Sequence, residues 1–290
     1  MKNLLIRTIS GIAFILIMTG AILWNPVSFA VVFGLILTKM MHEYLTITTG
    51  KENTIGKILG IIAGVFFFLM MFLVTGYGYN PLLLTLTLLP LTGIFIGNLY
   101  VKKYNVHDIR TADGVPVRTG NGYETFPFIL SGFIYIAVPG ALLNLVMFNA
   151  YGEYSGKLLL SMLILLWSTD VGAYCAGSTL GKKFGHKLFF SVSPKKSWEG
   201  FWGGLICSIL ASIILYYTTL LELGLLHSII LAILIGVFGT LGDLVESQLK
   251  RNFGVKDSGS IMPGHGGMLD RFDGALVAFP VAIIYLILFL

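Results

Sequence analysis

Charge is scarce in this chain. Only 11% of its 290 residues are Asp, Glu, Lys or Arg, while 56% are apolar; an ordinary soluble domain carries roughly 25% charged residues. That deficit excludes a soluble globular protein. Cysteine is almost missing as well. Cys175 and Cys207 sit in apolar stretches without metal-ligand spacing, which excludes a disulfide scaffold or thiolate metal site and reads as two buried, reduced thiols. No polar stretch is long enough to fold by itself, and no internal repeat is visible, which argues against a transporter made of inverted halves. The net charge of +5 is not a nucleic-acid footprint, because membrane proteins carry surplus Lys and Arg in cytoplasmic loops. No nucleic-acid partner is expected.

What the chain does have is long apolar runs. A bilayer core about 30 Å thick needs about 20 apolar residues per helix. Nine such windows are read, at about 5–24, 28–48, 55–76, 81–99, 126–147, 157–178, 198–218, 225–242 and 274–290. The fold class is all-α, a polytopic membrane protein of about nine spans. With the N-terminus in the cytoplasm, Lys51 and Lys57 fall in one inner loop. Lys102, Lys103, Arg110 and Arg118 fall in the next, then Lys182, Lys183, Lys187, Lys195 and Lys196. Lys250, Arg251, Lys256 and Arg271 occupy the last, and the outer face receives little besides Lys157. This asymmetry is the positive-inside pattern. It points to a multi-pass protein of the cell's inner (cytoplasmic) membrane with its polar face inward. Residues 1–125 supply four helices and a polar loop, and 126–290 supply five helices and the chemistry, as one continuous membrane domain. Lys2, Arg7 and Ser28-Phe29-Ala30 raise the question of a cleaved leader, but the run Ile9–Trp24 is long for one, so it is read as the first span.

The remaining charge is concentrated. In Gly242–Arg251, helical spacing puts Asp243, Ser247, Lys250 and Arg251 on one face. A carboxylate beside a hydroxyl suits Mg²⁺, which takes oxygen ligands and completes its shell with waters and phosphates. Pro263-Gly264-His265-Gly266-Gly267 then leads through Asp270, Arg271 and Asp273 into the last span. Such glycines let backbone N–H groups approach an anion. His265 reads equally as a phosphate-orienting or proton-moving group and as a turn cap. Upstream, Pro194 ends any preceding helix, Ser197 can cap the next, and Lys195 and Lys196 make that helix start a ready anion site. Asp170 lies in mid-span, where a carboxylate is costly and by default functional. Lys39, His42 and Glu43 read as a mutually satisfied polar cluster. The glycine pairs Gly60/Gly64 and Gly200/Gly204 have the spacing for close helix contact in lipid. An enzyme handling a phosphate–metal complex is the leading reading, ahead of a cation-coupled transporter lined by Asp170, Asp243 and Asp270. A transferase joining a CDP-linked lipid to an alcohol would need an Asp-Gly-x-x-Ala-Arg element, which is absent.

These residues resemble the phosphatidate cytidylyltransferase (CDP-diacylglycerol synthase) family. Its signature is matched by Ser247, Leu249, Lys250, Arg251, Lys256, Asp257, Gly259, Pro263, His265, Gly266, Gly267, Met268, Asp270, Arg271, Phe272 and Asp273. Met262 stands where Leu, Ile or Phe is usual. Ser193-Pro194-Lys195-Lys196 with Glu199-Gly200, and Gly181-Lys182-Lys183-Phe184-Gly185, are also similar, with Ser197 in place of the commoner threonine. The resemblance is specific over roughly 168–274. It implies CTP and phosphatidate as substrates, CDP-diacylglycerol and pyrophosphate as products, and the bilayer as partner. It also implies Mg²⁺ held by Asp243 and Asp270, leaving open a second cation such as K⁺ and a homodimer. Lys250, Arg251 and His265 would join the two aspartates in catalysis. Lys195, Lys196, Ser197, Ser247, Lys256, Asp257, Gly266, Gly267, Arg271, Asp273 and Asp170 would contact substrate.

Overall fold

The computed structural model describes residues 2–50, 53–98, 122–148 and 152–289. Lys51 and most of the polar connection at 100–125, with Lys102, Lys103, Arg110 and Arg118, lie outside them. Among the described residues, eight helices are long and apolar enough to cross a membrane, and Pro81–Gly97 is a shorter apolar segment. The protein is an all-α polytopic membrane protein, and a two-stranded hairpin is the one sheet among the described residues.

The first three helices are α1 (Lys2–Trp24), α2 (Pro26–Thr49) and α3 (Thr54–Tyr77). Asn25 caps α2, accepting from Ser28 N at 2.8 Å, while Pro26 occupies the first turn, where its missing N–H costs nothing. The fourth span opens as a 3₁₀ segment, Pro81–Thr87, before α4 (Leu88–Asn98). A 3₁₀ residue advances about 2.0 Å against about 1.5 Å in an α-helix. The short span Pro81–Gly97 therefore reaches roughly 30 Å, close to the hydrocarbon thickness.

The fifth span is not one regular helix. It runs as α5 (Gly122–Gly132), a π turn (Phe133–Ala137), α6 (Val138–Leu142) and a 3₁₀ end (Leu143–Val146). Pro139 is the cause: it lacks the N–H that would bond the carbonyl four residues back, and the ladder widens to pass it.

The C-terminal half comprises α7 (Lys157–Phe184), strands β1 (Lys187–Phe189) and β2 (Ser193–Ser197), α8 (Trp198–Tyr217), α9 (Leu225–Asn252) and α10 (Leu269–Phe289). Both α7 and α9 continue well past the apolar windows that ended at 178 and 242, and α10 starts five residues before 274. Hydropathy marks where a helix leaves lipid and not where it ends; Lys250 and Arg251 in the last turn of α9 favour continuation by meeting its negative end.

Small residues bring these helices together. A Cβ on Gly204 would sit 2.7 Å from Thr169 O, and one on Gly172 2.7 Å from Gly203 O, so α7 and α8 touch backbone to backbone. At Gly60 and Gly64 the same construction meets Ile129 and Ala137 at 2.8 and 3.0 Å. Both glycine pairs therefore lie at helix contacts. Ser208 on α8 donates to Leu165 O and Ala232 O at 3.3 and 3.2 Å, bonding α8 to both α7 and α9. An aromatic cluster including Phe29, Phe33, Phe68 and Phe272 fills the space among α2, α3 and α10. Of the two free cysteines Cys175 is exposed, not buried, and Cys207 partly so; Cys175 sits on a flank of α7 that is left uncovered, beside the exposed Val171 and Tyr174.

Candidate active site

At one end of α7, α8 and α9 lies a cavity of about 300 Å³. Asp170 and Tyr174 come from α7, Lys195, Lys196 and Ser197 from β2, and Thr240 and Asp243 from α9. Ser197 is extended, with φ −124° and ψ 158°, and its Oγ accepts from Gly200 N at 3.2 Å, the expected cap. The α8 start is less open to an outside anion than its sequence implies. Gly200 N is taken by Ser197, and Trp198 N donates to His186 O at 3.0 Å. The lysines remain. Lys196 Nζ stands 2.6 Å from Asp243 Oδ2 and 3.3 Å from Thr240 O, while Lys195 is exposed.

Asp243 Oδ1 accepts from Ser247 Oγ at 3.2 Å, so the first two residues of the expected helical face do meet. Lys250 turns away from them. Its Nζ lies 2.5 Å from Glu246 and 2.7 Å from Asp270 Oδ1, and Arg251 is exposed. The carboxylates within electrostatic reach of Asp243 are Asp170 and Asp273, with Lys196 and Arg271 the neighbouring cations. Asp273 gets there because α9 and α10 cross without side chains between them. A Cβ on Gly242 would fall 2.5 Å from Asp273 O and 2.9 Å from Gly274 Cα.

Asp270 belongs to a second network. Its Oδ2 accepts from Ser258 N and Gly267 N at 2.9 and 2.8 Å, and its own N donates to Ser258 Oγ at 3.3 Å. Gly266 has φ +83°, and a Cβ there would lie 2.5 Å from Asp270 Oδ2. The glycine turn thus wraps an internal carboxylate, and the Gly267 N–H, expected to face a substrate phosphate, faces Asp270. His265 also points inward: its Nδ1 is 3.0 Å from Ser10 Oγ, which donates to Pro263 O at 3.2 Å. Of its two readings, this contact matches the turn-fixing one. Lys256, Asp257 and Arg271 are exposed.

Two residues carry more than their sequence context suggested. Glu246 is fully buried against Lys250. The expected cluster forms in part: Lys39 pairs with Glu43 at 3.5 Å, His42 faces outward, and Glu43 also reaches Ser258 and Leu269. The only signal for it was a carboxylate inside an apolar run.

Among the described residues, no three His, Cys, Asp or Glu side chains close into a metal cage. The donor set still fits Mg²⁺, which is held in proteins by one or two carboxylates plus waters and substrate phosphates. Asp243, Asp170 and Asp273 offer hard oxygens against few cations. Asp270 could add another only where Lys250 leaves its Oδ1.

Residues 5–289 match the model of the cytidylyltransferase family, and the chain belongs to that family. It is 41% identical over 162 residues to a protein of Staphylococcus haemolyticus named phosphatidate cytidylyltransferase, covering 56% of this chain and 61% of that one. A Bacillus subtilis protein of the same name is 39% identical over 169 residues, covering 57% and 62%. One from Staphylococcus saprophyticus is 48% identical over 124 residues, covering 43% and 46%. The matched stretch spans about three fifths of the first two relatives' length.

Proposed function

We propose that this chain is a phosphatidate cytidylyltransferase, in which a phosphatidate oxygen attacks the α-phosphorus of CTP and pyrophosphate leaves. The observation that carries the reading is one cavity, at the end of membrane-spanning helices, that combines Lys195 and Lys196 with Asp170 and Asp243. It can receive a polar nucleotide while the acyl chains of the second substrate stay in lipid. The family assignment favours this over the transporter.

A phosphate monoester is already anionic near neutral pH, so catalysis rests on alignment and charge neutralisation. Bound Mg²⁺ would supply that neutralisation at the phosphate oxygens. Asp243 would hold it, with Asp170 and Asp273 adding negative potential, and Asp270 joining if Lys250 moves to substrate. Lys196 exchanges Asp243 for a phosphate oxygen of CTP. Lys195, Lys256 and Arg251 are exposed and free to meet the departing pyrophosphate. Ser247 orients the Asp243 carboxylate through its hydroxyl. In this reading the same polar end faces the cytoplasm, where CTP is, and the Lys157–Glu222 pair lies on the outer side.

The test is pyrophosphate release by the purified protein in detergent with CTP, phosphatidate and Mg²⁺. Release that depends on all three supports the reading. No release with any lipid phosphate, while solute flux persists in liposomes, overturns it.

A further inference from the structure

Helix α2 reaches the glycine turn through a single buried carboxylate. Glu43 is 3% exposed, and its Oε2 accepts from Ser258 Oγ at 3.1 Å and from Leu269 N at 2.9 Å. Those two partners bracket the loop whose backbone holds Asp270: Ser258 N and Gly267 N both donate to Asp270 Oδ2. The loop closes tightly round the carboxylate. A Cβ on Gly267 would come within 2.5 Å of Glu43 Oε2, and one on Gly259 within 2.5 Å of Oε1. Oε1 lies 3.5 Å from Lys39 Nζ and has no hydrogen-bond donor among the described residues. A buried carboxyl group is costly unless its oxygens find partners, and most of the partners here belong to the loop. What it secures here is the loop.

We propose that Glu43 is a positioning residue for the reaction, accepting from both ends of the 258–269 loop and so setting where Asp270 and Lys250 stand. The first half of the chain then shapes the chemistry as well as anchoring it. The kinetic part of the test rests on the cytidylyl-transfer reading, and the loop part does not.

The test compares Glu43→Ala, Glu43→Asp and Glu43→Gln by hydrogen exchange of residues 258–269, with α7 and α8 as internal control, and by steady-state kinetics with CTP, phosphatidate and Mg²⁺. Losing an acceptor shared by two buried donors should speed loop exchange by about 10-fold or more and lower kcat by a similar factor. The KM for CTP should stay within about 3-fold, since no direct contact is lost. Gln keeps an acceptor oxygen and should restore both readouts to within about 3-fold of the parent. Unchanged loop exchange in Glu43→Ala would overturn the proposal. So would a Gln variant with a protected loop and no turnover, which would mean that the charge itself is required. If Glu43→Ala does not fold, Glu43→Asp, one methylene shorter, must show the same loop loosening or the idea fails. A parent protein that releases no pyrophosphate would sink the activity reading, and the exchange measurement would still decide the role of Glu43.

Discussion

Two lysines divide the polar end of this protein between them, and their removal should have different effects. Lys196 neutralises Asp243 from a strand at the cavity edge, where the carboxylate is 39% exposed. Lys196→Met should therefore fold normally and lose roughly 10²–10³-fold in kcat, the scale of removing one transition-state donor; steady-state kinetics checks it. Lys250 is buried between Glu246 and Asp270, with side-chain exposures of 12%, 0% and 7%. Lys250→Met leaves Glu246 without its cation and Asp270 with its backbone donors alone, and breaking a buried pair costs about 3–5 kcal/mol. A large drop in thermal midpoint in detergent should accompany its inactivity. Asp243→Asn should abolish turnover while leaving that midpoint near the parent's, whereas Asp270→Asn should lower both. Equal midpoints for the two would undo the division between a reacting cavity and a load on the loop. At this scale the sequence was legible in residue type more than in partnership. Asp243, Ser247, Lys195 and Lys196 were readable because their spacing is local. Glu43 was readable only as a neighbour of Lys39, because its loop partners Ser258 and Leu269 lie more than 200 residues away.

At the scale of helices, the decisive contact is the crossing at Gly242. Any side chain there meets Asp273 O at 2.5 Å, so Gly242→Ala must push α10 away and separate Asp243 from Asp273. Overpacking of this kind costs about 1–3 kcal/mol. Thermal unfolding in detergent should fall by that amount, and turnover should fall further than stability explains. Among the described residues the apolar windows coincide with the eight long helices and with the shorter Pro81–Gly97, because length and hydropathy are local properties. They misplaced the ends of α7 and α9 and the start of α10, where charged residues remain helical beyond the lipid. Hydropathy also gave no sign of the π turn, since Pro139 perturbs the hydrogen-bond ladder without interrupting the apolar run, or of the β1–β2 hairpin, which is too short to leave a periodic trace.

For the whole molecule, the testable property is sidedness. If the cavity end is cytoplasmic, a cysteine at position 195 should react with a membrane-impermeant thiol reagent only in inside-out vesicles, and one at position 222 only in right-side-out vesicles. Cys175 is exposed and must first be replaced. The reverse pattern would put the polar face outside and refute the topology. The expectation rests on how Lys and Arg are distributed among the connections between spans.

The contact between Lys196 and Asp243 has one more consequence. At rest Lys196 already offsets Asp243, so this one carboxylate of the acidic group is not bare before an ion arrives. On the proposed reading, nucleotide binding would be a swap of partners, with Lys196 turning to phosphate and leaving Asp243 to hold Mg²⁺, and departure of the product would let the original couple re-form. Such a pocket resets itself between turnovers without waiting for solvent to rearrange around bare charges.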